Sequence, residues 1–230
     1  IPSIIQLGGD PDRISYYPNS AAPLYRPITP AADAAERSLV PNGFRVVFAG
    51  NIGAAQDFNT ILSAAEMLTS HKDIHWIILG NGRMSSWVEA EIYKRGLSDT
   101  VHLLGRHPVE TMPRFFALAD ALLVTLKKEP IFALTIPSKI QSYLACGKPI
   151  IAALDGEGAR TIDEAGAGLT CPAQNPTALS RAVLNVYEMA QGERDVMGAK
   201  GRKYFESHFE REMLLDRLIG LLSQLKKQEK

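Results

Sequence analysis

The chain has 230 residues, with 25 Lys and Arg balanced by 25 Asp and Glu and with 46% hydrophobic residues. The length allows one large or two small domains with a sizeable core, and the formal charge of zero argues against a nucleic-acid partner, which draws a basic excess. No apolar run approaches the roughly 20 residues needed to cross a bilayer, and no signal peptide is visible.

The chain begins at Ile1 with "IPSIIQLGGDPDRISYYPNSAAPLYRP". This has few features of a domain start, and we expect a piece cut from a longer protein. Residues 19–43 are rich in Pro and Ala without a clear period and predict a linker crossing the surface. From residue 44 the pattern becomes regular. "FRVVFAG" (44–50) predicts a buried strand ending in Gly, and "DFNTILSAAEMLTSH" (57–71) a helix with Phe58, Ile61, Leu62, Ala65 and Leu68 at helical spacing. "IHWIILGNG" (74–82) is a strand stopped by glycines, "MSSWVEAEIYKRG" (84–96) a helix closed by Gly96, and "VHLLG" (101–105) a strand. "PVETMPRFFALA" (108–119) predicts a short helix with Pro113 near its start, and "ADALLVTL" (119–126) a strand. A loop through "KKEPIF" leads to a helix from about Pro137 to Ala145 and the strand "KPIIAAL" (148–154). "ARTIDEAGAG" gives a short helix and turn, "LTCP" a short strand, and helices follow at 176–191, 193–207 and 209–227. In the last of these, Met213, Leu214, Leu218, Leu221, Leu222 and Leu225 follow helical spacing, which predicts a core-packing helix with a solvated Lys-rich tail.

Continuous apolar strands alternating with helices mean a parallel sheet covered on both faces. The fold class is therefore α/β, a Rossmann-like doubly wound sheet with a helical C-terminus. Residues 44–230 form this domain, and residues 1–43 form a lead-in segment and linker. Such sheets bind ligands beyond the carboxyl ends of their strands. Here those ends carry "GNIG", "GNG", "GRH" and "KKEPIF", which should line one crevice. Cys146 and Cys171 are too few for a disulfide framework and read as reduced core residues of a cytoplasmic protein.

In "AGNIGAAQ" (49–56) the strand ends at Gly50 and the turn contains Gly53. Small residues let the backbone approach a ligand and adopt positive φ, and the following helix offers free amides. The spacing is Gly-x-x-Gly, an incomplete dinucleotide fingerprint, so the motif fits a structural turn as well as a ligand loop. Gly80 and Gly82 in "LGNGR" fit a turn better than a site. "LLGRHP" places Arg106 and His107 just past a strand. A guanidinium there could stack on a base or pair with a phosphate, while His107 fits a loop surface better than a catalytic base. No His, Cys or Asp cluster has metal-ligand spacing, and there is no Gly-x-Ser-x-Gly elbow or Walker loop.

The most informative stretch is "EPIFALTIPSKIQSYLACGKPII" (129–151). Pro137 suits the first turn of a helix, and the amides of Ser138 and Lys139 then have no intrahelical partners. A lysine is electrostatically mismatched at the positive end of a helix dipole. A diphosphate bound between the two positive features relieves the mismatch, and so does a lysine that bends out to water.

At this point the segments "ISYYPNSAAPLYRP", "VVFAGNIGAAQDFNTILSAAEML", "IHWIILGNG", "VHLLGRHPVETMPRFFALADALLVTL" and "YLACGKPIIAA" resemble, in order and spacing, the C-terminal, nucleotide-sugar-binding half of GT-B-fold glycosyltransferases of the retaining group 1 family. "GNIGAAQ" with "IPSKIQSYLACGKPII" is most similar to bacterial enzymes of capsule, colanic-acid and O-antigen synthesis, including fucosamine-type transferases. The resemblance implies a hexosyl- or N-acetylhexosaminyl-type transferase with a UDP-sugar donor, a glycan or lipid-linked acceptor, and no cofactor or metal. It also implies an N-terminal acceptor domain as partner, without which this chain binds nucleotide but turns over little, and a cytoplasmic place with peripheral association at the inner membrane face. Carried onto this sequence, it places Gly50, Asn51 and Gly53 near the diphosphate or an acceptor-side phosphate and Arg106 beside the nucleobase. The loop from Glu129 to Leu134, with Phe132, surrounds the transferred sugar. Pro137, Ser138 and Lys139 meet the diphosphate, and Ser142 faces the ribose. Glu129 and Lys139 are the candidate catalytic groups.

Two departures stand out. Many members of the family carry glutamates at the positions of Leu134 and Ser142, so Glu129 takes the sugar role only if its loop is longer, and Ser142 is a weaker, neutral partner for a ribose. Members also often carry Arg and Lys where this chain has Asn51 and Gln56, which leaves Lys139 as the candidate for the absent positive charge. These departures keep open a docking or regulatory module of the same fold without donor binding. An epimerase or dinucleotide oxidoreductase is a third reading. The incomplete glycine fingerprint and the lack of an acidic ribose ligand about 20 residues after Gly53 count against the oxidoreductase.

Overall fold

The computed structural model describes residues 2–228, and the side chains of residues 4–225. Two short helices, α1 (Pro2–Gln6) and α2 (Glu36–Leu39), precede the sheet. Strand and helix then alternate as β1 (Phe44–Ala49), α3 (Phe58–Met67), β2 (Ile74–Leu79), α4 (Ser85–Lys94), β3 (Val101–Gly105), α5 (Met112–Leu118) and β4 (Ala121–Thr125). The chain continues through α6 (Pro130–Ala133), α7 (Ser138–Cys146), β5 (Ile150–Ala153), α8 (Glu157–Ala165) and β6 (Gly168–Cys171), and closes with α9 (Pro176–Glu188), α10 (Gln191–His208) and α11 (Arg211–Gln228).

The strands form one parallel sheet in the order β3-β2-β1-β4-β5-β6, the doubly wound arrangement. The period-2 alternation of strand side chains sorts the core into two layers. Val46, Phe48, Trp76, Ile78 and Leu123 meet α3, α4 and α9 on one face. Val47, Ile77, Leu122 and Ile150 meet α5, α7, α8 and α10 on the other. Each fully buried Val, Leu, Ile or Phe contributes about 1.5–3 kcal/mol, which is why the strands read as unbroken apolar runs.

The sheet opens at its midpoint. β1 pairs with β2 along its whole length, from Phe44↔Ile74 to Ala49↔Leu79. It pairs with β4 only at Val46↔Ala121 and Val47↔Leu122. Beyond Val47 the two strands part, and the fully buried Tyr143 fills the gap by accepting a hydrogen bond from the Ala49 amide (3.1 Å). A crevice therefore lies at the carboxyl ends of β1 and β4, where the direction of strand winding reverses.

Several elements differ from the sequence expectation. Residues 19–43 do not simply cross the surface. Ala21 and Val40 are buried, Tyr25 stacks on Phe116 at 5.9 Å, and the buried Glu36 pairs with Arg114 at 2.8 Å. The loop after β4 contains the extra turn α6. The predicted core packing of the last helix holds only at its start. Leu214 is buried, but Ile219, Leu222 and Leu225 are each more than half exposed. The Lys-rich tail falls outside the residues whose side chains are described. Cys146 and Cys171 are buried and unpaired, and burial pushes their thiols up to about 12 and about 11. Among the described residues no helix is long and apolar enough to cross a membrane.

Candidate functional site

One wall of the crevice is built from backbone. The Gly50 amide donates to the Leu79 carbonyl and the Ile52 amide to the Asn81 carbonyl, both at 2.9 Å. The Met84 amide returns a bond to the Ile52 carbonyl at 3.0 Å. The loops after β1 and β2 are thus zipped together beyond the strands themselves. Glycine is what permits this approach. Gly80 has φ +139°, and a Cβ on it would overlap the Gly50 carbonyl. Of the two glycines of this turn, Gly50 takes the positive φ, +146°, whereas Gly53 is extended at φ −119° and ψ 167°. The amides expected at the following helix start are separated from this wall by a 3-10 turn, Ala54–Gln56.

The opposite wall is the start of α7. Pro137, expected as the first helical residue, is instead the N-cap, with φ −58° and ψ 132°, so Ser138 and Lys139 are the first two helical residues. No side chain caps this end. The Ile140 amide bonds back to the Pro137 carbonyl at 2.9 Å, which leaves the Ser138 and Lys139 amides open. The Lys139 side chain crosses toward β1. Its ammonium lies 3.7 Å from the centre of the Phe48 ring and donates to Oε1 of Gln56. A Cβ on Gly50 would come within 3.2 Å of both Lys139 Cε and Nζ. Lys139 is half-buried as a whole, and its ammonium is closed in by the Phe48 ring, Gln56 and the Gly50 backbone. Burial brings the ammonium down to about 7, and no carboxylate counters that shift. Ser142 sits one turn along the helix and donates to the Ser138 carbonyl at 3.3 Å.

Two adjoining hollows lie between the walls. A hollow of about 690 Å³ is lined by Gly50, Asn51, Gly80, Asn81, Arg106, His107 and Met112, a volume in the range of small-molecule sites. Through Gly50, Asn51 and Met112 it meets a second hollow lined by Tyr25, Gln56, Ser138, Lys139, Ser142 and Tyr143. The structure thus brings together Gly50, Asn51, Arg106, Ser138, Lys139 and Ser142. It does not add the loop residues to them. Glu129 is the exposed N-cap of α6, Phe132 packs against the core, and Leu134, 64% exposed, borders a separate hollow with Tyr16, Tyr17, Gln141 and Arg160. Gly53 lines neither part of the crevice. Among the described residues no group of three or more His, Cys, Asp or Glu could hold a metal ion.

The sequence model of the family described as glycosyl transferases group 1 matches residues 32–204. The chain belongs to the group 1 glycosyltransferases. It is 29% identical over 188 residues to the probable glycosyltransferase WbjE of Pseudomonas aeruginosa, covering 80% of this chain and 45% of that protein. It is 26% identical over 214 residues to the D-inositol 3-phosphate glycosyltransferase of Paenarthrobacter aurescens, covering 89% and 50%. The chain therefore spans about half the length of the curated relatives it matches. Among solved structures, Anabaena HepE in complex with UDP superposes with a TM-score of 0.83 at 16% identity, over 97% of this chain and 61% of HepE. That likeness establishes the fold, the Rossmann-like sheet of GT-B glycosyltransferases.

Within this group 1 glycosyltransferase, several crevice residues were not singled out from sequence as site residues. In sequence Gln56 stands out only for the cation it replaces, and His107 fits a loop surface. His107 lines the crevice wall, its Nε2 held at 3.1 Å from the Leu104 carbonyl and its ring set edge-on against Phe115 at 4.8 Å. Tyr143 carried a usable signal, because a buried tyrosine needs a partner for its hydroxyl. Gln56 carried none, because its partner Lys139 lies 83 positions away in sequence.

Proposed function

We propose that the chain is the donor half of a retaining glycosyltransferase that takes its sugar from a UDP-sugar. The diphosphate lies over the Ser138 and Lys139 amides and the Lys139 ammonium, close to Gly50 and Asn51. The nucleobase lies beside Arg106, the ribose near Ser142, and the sugar toward the Glu129 loop. In the reaction the bond from C1 to the β-phosphate oxygen breaks, and its electron pair leaves with the diphosphate. The acceptor oxygen bonds C1 on the same face and its proton is released. Amides and an ammonium preorganised around the leaving group stabilise the charge that develops there. The observation that carries the reading is the enclosed ammonium of Lys139 beside an uncapped helix start, with no carboxylate to neutralise it. Support for UDP comes from the HepE complex. A sugar of the hexosyl or N-acetylhexosaminyl type, and a polysaccharide or lipid-linked acceptor in a capsule, colanic-acid or O-antigen system, rest on the sequence resemblance.

Calorimetric titration tests this directly. UDP and UDP-sugars should bind with measurable heat, ADP and GDP more weakly, and the chain by itself should transfer little sugar. Absence of heat with every nucleotide would leave the alternative reading, a module of the same fold without donor binding. That alternative is favoured by Ser142, whose hydroxyl is already engaged with the Ser138 carbonyl.

A further inference from the structure

Gln56 is held from two sides. Its carbonyl accepts from Oγ1 of Thr125, the fully buried last residue of β4. Next to it, the Lys127 amide donates to the Ala55 carbonyl at 2.9 Å. Residues 55 and 56 are thereby tied to the end of β4, across the point where β1 and β4 part. The Gln56 side chain then presents Oε1 to the Lys139 ammonium. On its other sides the ammonium meets the Phe48 ring at 3.7 Å and the bare backbone of Gly50. The titratable groups that line the same hollow are Tyr25 and Tyr143, both held above the ordinary phenol range chiefly by burial.

We infer that Gln56 is a positioning residue: it fixes the Lys139 ammonium at the floor of the crevice while leaving its charge uncancelled for the donor diphosphate. This rests on the donor-site reading above. The residue type matters. An amide oxygen takes one of the three ammonium protons and leaves the others for ligand oxygens. A carboxylate in the same place would hold the lysine equally well but would neutralise it. The site thus receives its cation from α7, 83 positions away in sequence, rather than from the β1 loop itself.

The test uses the full chain with Gln56→Glu and Gln56→Met, side-chain NMR titration of Lys139, and UDP-glucose binding isotherms. Both substitutions spare the backbone carbonyl that Thr125 uses, so unfolding curves should stay close to wild type. In the wild type Lys139 should titrate near the value of about 7 that its burial sets. Gln56→Glu should return it toward the ordinary lysine range and weaken UDP-glucose by about tenfold or more. Gln56→Met should weaken binding several-fold while Lys139 still titrates low. If UDP-glucose binds but neither the Lys139 titration nor the affinity responds to Gln56, the positioning role is overturned alone. If Lys139 responds as expected but the wild type does not bind UDP-glucose, the donor-site reading falls and takes the role with it.

Discussion

On the β1–β2 side the crevice is closed by backbone on backbone, whereas on the α7 side it is faced by open amides and a charged side chain. The first wall has its polar groups paired, Gly50 with Leu79 and Ile52 with Asn81, and glycines keep it tight. The second leaves its first helical amides open and an ammonium without a carboxylate. A paired wall stabilises the fold and gives a ligand mainly shape, with the Asn51 and Asn81 side chains at its edge. An unpaired wall costs stability in the free protein and regains it when an anion arrives. Changes to the two walls should therefore separate stability from binding.

The largest effect is expected at Gly80. Its φ of +139° disfavours any side chain, and a Cβ would strike the Gly50 carbonyl. Gly80→Ala should lower folding stability by roughly 2–5 kcal/mol, read as a fall in the denaturant midpoint. A variant of wild-type stability would mean that the two loops are not zipped. Lys139→Met should act in the opposite sense on the fold. Replacing an enclosed, unpaired charge with an apolar side chain should stabilise by about 1–4 kcal/mol and weaken UDP-glucose by about 10–100-fold, the range for a charge-assisted hydrogen bond. The gain in stability has a defined pH window. The folded ammonium is brought down to about 7 from 10.5, so the unfolded chain binds the extra proton between those values and wild-type stability rises with pH across them. The advantage of the methionine is thus full below pH 7 and fades toward pH 10. A Lys139→Met protein that is both less stable and unaltered in binding would contradict the assignment of this wall.

Binding by the wild type should carry the same proton in reverse. A bound diphosphate favours the charged lysine, so affinity for UDP-glucose is highest below the free-state value of about 7. It should fall as pH rises above that value, by up to about tenfold per unit, and level off at the higher value of the complex. The diphosphate diester of a nucleotide sugar does not itself titrate in this range, so isotherms at a series of pH values below the titration of the uracil imide isolate the lysine. A flat profile would place the ammonium away from the diphosphate.

The two walls also differ in how far sequence revealed them. The sheet, its layers and the crevice at its carboxyl edge follow from apolar runs ended by Gly, because a strand buried on both faces must be apolar throughout. The helix start at Ser138 was visible within one residue. Proline was expected inside the helix, but its extended ψ of 132° makes it the cap. Which glycine takes the positive φ was not legible. Gly50 and Gly53 are equivalent in a string of letters, and only the closeness of Lys139 and of the β2 loop assigns the role to Gly50. The family resemblance puts Phe132 and Leu134 in the sugar loop, but after the turn of α6 Phe132 is partly buried against the core and Leu134 borders another hollow. Such details depend on contacts between distant segments, and periodicity carries no information about those.

The smallest effect is expected at Ser142, where the two walls meet the ribose in our reading. Its hydroxyl already donates to the Ser138 carbonyl at 3.3 Å, a local bond that helical serines commonly make. A ribose hydroxyl must therefore share or displace that bond, and a neutral hydrogen bond contributes only about 0.5–1.5 kcal/mol net. Ser142→Ala should leave stability almost unchanged and weaken UDP by less than about tenfold. The informative measurement is the same substitution read with 2′,3′-dideoxy-UDP, which lacks the hydroxyls that Ser142 would meet. Loss with UDP but not with the dideoxy nucleotide ties the serine to the ribose. Equal loss with both would mean that Ser142 acts through the geometry of the α7 start, and that the ribose lies elsewhere along the crevice.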